Sequence, residues 1–198
     1  RVGDSVIGTL GNFSASTGKA KSKKTFNVCA IVAAAMTGGT VLNYSASLPP
    51  ERRRILYVDT EQSRFHCKRV LCRILRLAGL PTDTHPPLLE FLCLRGYATK
   101  ERLRKIEEAI YDLDNLGLVV IDGIRDLAHD INSPGEATDL ITKLMQWTDE
   151  RRIHIHTVLH LNKGDDNTRG HLGTELNNKA ETVLQITKDD FERDISSV

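Results

Sequence analysis

The stretch "STGKAKSKKTFN", Ser16 to Asn27, decides how the rest of the chain is read. Phosphate-binding loops follow G-x-x-x-x-G-K-[ST], between a strand and a helix. Two registers compete here. With Gly18-Lys19 as the terminal pair, Ala20 supplies no hydroxyl, and Phe13 stands where the first glycine belongs. With Lys24-Thr25 as the pair, Gly18 is the first glycine and Lys23 replaces the second. The second register places a lysine and a hydroxyl at the correct spacing and leads into the apolar run "VCAIVAAAM". The candidate phosphate cradle is therefore Gly18, Lys19, Ala20, Lys21, Ser22, Lys23, Lys24, Thr25 and Phe26. Its chemistry requires backbone N–H groups converging on an anion at a helix N-terminus. Lys23 is expected to sit at helix entry without a left-handed backbone, its side chain outward. Taken alone, the stretch also reads as a solvated basic turn.

Downstream, apolar runs alternate with helical patterns. "VIGTLGNFSA" reads as a strand region, with a possible hairpin at Gly11-Asn12. A helix from about Lys23 to Thr37 is closed by Gly38-Gly39. "YSASLPPERRR" reads as a loop and "ILYVD" as a buried strand. In "RFHCKRVLCRILRLAGL", Phe65, Val70, Leu71, Ile74, Leu75 and Ala78 recur at helical spacing. "LLEFLCL" is the next strand. A helix follows, with Leu103, Ile106, Ala109, Ile110 and Leu113 on one face. "LGLVVID" is a strand and "DINSPGEA" a loop, and residues 136–150 form a helix. "IHIHTVLHL" is a strand, "NKGDDNTRGHLG" a loop, and "TELNNKAETVLQITKD" a short helix with a last strand. Strict alternation of this kind predicts an α/β fold with a mostly parallel central sheet flanked by helices on both faces. Ligands of such sheets bind beyond the carboxyl ends of the strands.

Acids stand at two predicted strand ends. Asp122 closes "LVVID", the pattern of a carboxylate that binds Mg²⁺ beside phosphates; capping of the next turn is the plainer alternative. Asp59 and Glu61 follow "ILYV". Glu61 is the candidate base for an attacking water, and Asp59 is expected to support the loop or the metal shell. The chemistry implied is ATP with Mg²⁺ held by Thr25 and Asp122.

These motifs together resemble the RecA-like P-loop ATPases, in particular hexameric plasmid replication helicases of the RepA type and their KaiC-like relatives. "VLHLNKG" followed by "TRGHLGTELNNKAETVLQI" extends the resemblance over about residues 5–187. The resemblance implies a single RecA-like ATPase domain over residues 1–198. It implies His160 as a γ-phosphate sensor and Arg169 as an arginine finger reaching a neighbouring subunit, with Lys24 and Glu61 completing the catalytic set. It further implies a homo-oligomer such as a hexameric ring, and DNA as partner in replication or on a mobile element. For His160 a satisfied core histidine, and for Arg169 a surface loop charge, stay open. His154 and His156 read as structural. Arg125 could contact phosphate or a subunit, or simply form a salt bridge.

Composition constrains less. With 198 residues, 40% hydrophobic and 27% charged, the chain is ordinary for one globular domain. A net charge of +1 neither requires nor excludes nucleic acid, since a local basic stripe can hide in it. Aromatics at 5% offer few stacking platforms. The four cysteines (Cys29, Cys67, Cys72, Cys93) lack metal-ligand spacing and suggest reduced thiols in a cytoplasmic protein. No apolar run reaches the roughly 18–20 residues of a membrane span. A start at Arg1 and an end at "RDISSV" suggest a piece of a longer chain. Besides a motor ATPase, the residues leave open an ATP-binding switch with little turnover and, more remotely, a kinase.

Overall fold

The computed structural model describes residues 1–161, 170–189 and 196–198. Its main elements are β1 (Phe13–Gly18), α1 (Lys24–Thr37), β2 (Thr40–Val41), β3 (Tyr44–Ser45), β4 (Arg54–Asp59), α2 (Arg64–Leu77), β5 (Leu89–Cys93) and α3 (Thr99–Asp112). They continue with β6 (Leu116–Asp122), α4 (Pro134–Arg151), β7 (His154–His160), α5 (Gly170–Lys179), β8 (Thr182–Gln185), β9 (Thr187–Lys188) and β10 (Ser196–Ser197). Six strands form one sheet in the order β5-β4-β6-β7-β1-β8. Every pairing within it is parallel. The sheet is thus fully parallel where the sequence predicted mostly parallel.

Both faces of the sheet are covered, and the period of two sorts each strand between them. Leu56, Val58, Val119, Ile121 and Ile155 face a core built with Ile106, Ile110, Leu140, Leu144, Trp147, Leu172 and Leu176 of α3, α4 and α5. Ile55, Tyr57, Leu118 and Val120 face the other core, with Val28 and Val32 of α1 and Val70 and Ile74 of α2. Strands buried on both sides must be apolar throughout, which is why "LGLVV" shows no alternation.

The element order agrees with the sequence reading, and several details differ. Val6–Asn12 is not a strand: a turn at Leu10–Gly11 leads into β1. This segment is tied elsewhere, Gly11 N–H donating to Ile153 O (2.9 Å) and Thr9 N–H to a Glu181 carboxylate oxygen (2.9 Å). The predicted loop from Tyr44 opens on β3, which pairs with β2 just before it in a small hairpin. Helix α4 starts at Pro134, two residues before the predicted start, because Ser133 caps it by accepting from Glu136 N–H. Phe65, counted in the predicted apolar face of α2, does not belong to it and is 69% exposed. The helical period accounts for this: at about 100° per residue Phe65 falls on the side of the helix opposite Val70 and Ile74, so the spacing did not support its place in the apolar set.

His154 and His156 are structural, as expected, and their hydrogen bonds fix their tautomers. His154 Nδ1 lies 2.9 Å from Thr9 O, so Nδ1 carries the proton. Neutral His154 Nε2 then accepts from the Ser14 hydroxyl at 2.8 Å. Ser14 Oγ in turn accepts from His156 Nδ1–H, and His156 Nε2 accepts from the Ser16 hydroxyl, both at 2.8 Å. One directional chain therefore links β1 to β7. Burial lowers both imidazole pKa values, that of His156 to about 3. Since the folded values lie below the unfolded value of about 6.5, the stability these groups contribute is complete above that pH and lost progressively below it. Nitrogen-detected NMR should show both rings as neutral Nδ1–H tautomers at neutral pH and His156 still neutral at pH 5.5; an Nε2–H tautomer in either, or a charged His156 at pH 5.5, would contradict the chain.

Candidate nucleotide site

The carboxyl ends of the strands lie side by side. Gly18 is in register with His160, Asp59 with Asp122, and Asp122 with Val158. This brings loop, acids and histidine to one rim of the sheet, although Lys24 and Asp122 are 98 residues apart in the chain.

The loop from Gly18 to Lys24 wraps against its own lysine. Lys24 is 4% exposed, and its ammonium donates to Gly18 O (2.7 Å) and Lys19 O (2.8 Å). Burial lowers its pKa to about 8, against the opposing pull of Asp122 and Glu61. Gly18 is required by space: a Cβ there would lie 2.4 Å from Ile186 O and 2.5 Å from Ser22 Oγ. Lys23 corrects the sequence expectation. Its backbone is left-handed (φ 66°, ψ 26°), as is that of Lys21 (φ 66°). The loop therefore keeps the conformation that the pattern's second glycine would adopt freely, and a lysine bears the strain, roughly 1–2 kcal/mol.

Asp122 is the hub of the site. It is 7% exposed, and its Oδ2 accepts from Thr25 Oγ1 (3.1 Å) and Tyr57 OH (2.8 Å). Burial raises its pKa to about 6, and the hydrogen bonds from Tyr57 and Thr25 act in the opposite direction. Tyr57 is fully buried and stacks on Phe91, with ring centroids 4.7 Å apart. Sequence reasoning passed over it; the signal was a hydroxyl-bearing residue inside the otherwise apolar strand "ILYV".

Glu61 stands on a loop fixed from beneath. Asp59 Oδ1 accepts the N–H groups of Glu61 (3.0 Å) and Gln62 (2.7 Å), the loop-supporting role foreseen for it. Thr60 donates through Oγ1 to Gly123 O at 2.9 Å. Gly123 has φ 106°, and a Cβ there would lie 2.2 Å from Thr60 Oγ1 and 2.9 Å from Glu61 Cγ. A side chain at 123 would therefore displace the candidate base. Glu61 Oε2 lies 3.5 Å from His160 Nε2, and the hydrogen bond to His160 is the largest influence holding its pKa below the ordinary glutamate value. Among the described residues, Asp59 Oδ2 and His160 Nδ1 have no hydrogen-bond partner. Arg125 pairs with Asp126 at 3.4 Å. Arg169 and Lys163 lie outside the described residues.

A cavity of about 1180 Å³ opens beside the loop and is lined by Ser22 through Asn27, Asn43, Tyr44, Arg73, His160 and Ser196–Val198. Of the predicted residues, Lys21 through Phe26 and His160 line it, whereas Gly18, Lys19, Ala20, Glu61 and Asp122 do not. The Arg73 guanidinium lies 5.9 Å from the Phe26 ring centroid, and Tyr44 OH donates to Asn27 Oδ1 at 3.0 Å. An oxygen-only pair, Thr25 hydroxyl and Asp122 carboxylate, beside a buried ammonium fits Mg²⁺ and a polyphosphate. Another cavity, about 690 Å³, lies between the end of α1 and residues 6–10, away from these groups.

Fold and site together define a P-loop nucleotide-binding domain of RecA-like architecture. The chain belongs to the family described as AAA domain, whose sequence model matches residues 6–166. Among solved structures it is similar to a crystal structure of the RadB recombinase, with a TM-score of 0.60 and 16% identity. That match covers 92% of this chain and 77% of the other. No curated protein matches the sequence. No helix among the described residues is long and apolar enough to cross a membrane.

Two variants test this geometry. Lys23→Gly should raise stability by about 0.5–1 kcal/mol in urea denaturation, the strain removed outweighing the added chain entropy, and leave nucleotide affinity intact. Tyr57→Phe should cost roughly 1.5–3 kcal/mol of stability, as expected for a buried bond to a carboxylate, and raise the Mg²⁺ concentration needed for nucleotide binding.

Proposed function

We propose that this chain is a Mg²⁺-dependent ATP-hydrolysing motor domain that acts on DNA, as a helicase or a DNA-dependent ATPase of replication, recombination or a mobile element. The observation that carries the proposal is the convergence of Lys24, Thr25, Asp122 and Glu61 on one rim of the sheet. The RadB recombinase likeness, a fold likeness, is consistent with DNA as the partner, and the sequence resemblance to ring helicases favours a homo-oligomer.

Lys24 and the loop N–H groups would bind the β- and γ-phosphates, the ammonium exchanging the carbonyls of Gly18 and Lys19 for phosphate oxygens. Thr25 and Asp122 would hold Mg²⁺, with Tyr57 orienting the carboxylate from its buried side. Bound Mg²⁺ supplies charge neutralisation across the phosphates. Glu61, kept ionised by His160, would orient a water and accept its proton. His160 lines the cavity beside the loop, and a phosphate bound there would compete for its imidazole and release Glu61 for that task. Arg169 is the proposed finger donated to an adjacent subunit.

Lys24→Ala should abolish ATP turnover and weaken ATP binding. Glu61→Gln should retain binding of a fluorescent ATP analogue and lose turnover by about 10²-fold or more. Turnover retained in Lys24→Ala would refute the assignment. Tight ATP binding by the unsubstituted protein without phosphate release, with single-stranded DNA present, would favour a nucleotide-dependent switch instead.

A further inference from the structure

Helix α2 carries Arg64, Lys68, Arg69, Arg73 and Arg76 and no acidic residue. It holds five of the chain's 27 cations, leaving 22 cations against 26 anions, net −4, elsewhere. The near-neutral total therefore conceals a strongly polarised surface. Val70, Ile74 and Leu75 anchor the inner face of the helix. Arg64, Lys68, Arg69 and Arg76 are exposed and form no ion pair among the described residues. Arg73 is turned instead toward the Phe26 ring.

In the middle of this face stands Phe65. At about 100° per residue it lies between Lys68, about 60° to one side, and Arg69, about 40° to the other. It is the most exposed large hydrophobic side chain among the described residues, at 69%. Its ring and that of His66 form a T-shaped pair with centroids 5.4 Å apart, and most of the Phe65 side chain is open to solvent. Exposing a phenylalanine forfeits about 1.5–3 kcal/mol of burial, and fencing it with unpaired cations makes an apolar protein partner a poor match. Cations that follow a backbone of phosphates and an aromatic ring that stacks on a base are the two components of single-strand recognition.

We propose that the exposed face of α2 is a binding surface for single-stranded nucleic acid. Arg64, Lys68, Arg69 and Arg76 contact phosphates, and Phe65 stacks on a base. The surface lies one loop beyond Glu61, so strand engagement can bear on the base-carrying loop through Arg64 and Ser63. It is distinct from the nucleotide cavity, and its test needs no ATP turnover.

The experiment is fluorescence anisotropy with an end-labelled oligo-dT of about 20 nucleotides, without nucleotide, over a series of salt concentrations. The unsubstituted chain should bind, and Lys68→Gln/Arg69→Gln should weaken binding tenfold or more. In the double variant the slope of log K against log salt should become shallower by about 0.7 for each cation removed. Phe65→Ala should weaken oligo-dT binding roughly tenfold and leave binding of an abasic strand of equal length unchanged. These positions are exposed, so circular dichroism melts should be preserved, and binding of a fluorescent ATP analogue should be unaffected. Oligo-dT affinity and salt slope equal to wild type in the variants would overturn the proposal. So would variants that alter sedimentation while keeping oligo-dT affinity, which would assign the face to a second copy of this chain.

Discussion

The site depends on one carboxylate oxygen. Asp122 Oδ2 accepts from Thr25 at the start of α1 and from Tyr57 inside β4, and so ties the phosphate loop and two sheet strands to a single point. An ionised carboxylate this deeply buried would be costly without such donors. Two donors on one oxygen hold the group in a fixed orientation at the strand tip. The remaining carboxylate oxygen is left for other chemistry. Burial pushes the pKa of the group up toward neutrality, so the site carries a standing electrostatic tension that a divalent cation would relieve.

The same tension organises the neighbouring groups. Lys24 is buried, and its ammonium is satisfied by backbone carbonyls of the loop it belongs to. Asp59 is fully buried and spends one oxygen on the backbone of the Glu61 loop. Glu61 then rests over Gly123, the residue after Asp122, so the loop is packed directly on the β6 strand tip. The side chains with chemical potential are thus held by backbone and buried partners, while Glu61 and His160 stay partly accessible. That arrangement fixes the positions of most groups in advance and leaves two accessible side chains at the rim.

Much of this was legible in the chain. The alternation of elements followed from hydrophobic period and length, since a parallel strand buried on both faces must be apolar throughout. The pairing of Lys24-Thr25 with Gly18, and the acids at Asp59, Glu61 and Asp122, could be read from motif spacing, which strand–turn–helix geometry dictates. Other features were not legible. Val6–Asn12 carries strand-like residues, yet its hydrogen bonds go to Ile153 and Glu181, both remote in sequence. The exposure of Phe65, by contrast, was available in the helical period, since at about 100° per residue it falls opposite Ile74 and among the basic side chains of α2.

Sequence alone determined the fold class and the roster of chemical groups, because both follow from local period and motif spacing. Tertiary structure alone decided which groups meet. Tyr57 reaches Asp122 because β4 and β6 are neighbours in register. His160 reaches Glu61 because β7 lies beside β6, across from the β4 tip. The left-handed turn at Lys23 belongs to the same class. A lysine gives no local reason to adopt φ 66°, and the closure of the loop around Lys24 imposes it. Contacts between residues distant in the chain are fixed by sheet order, which the sequence specifies only through the free energy of the whole fold.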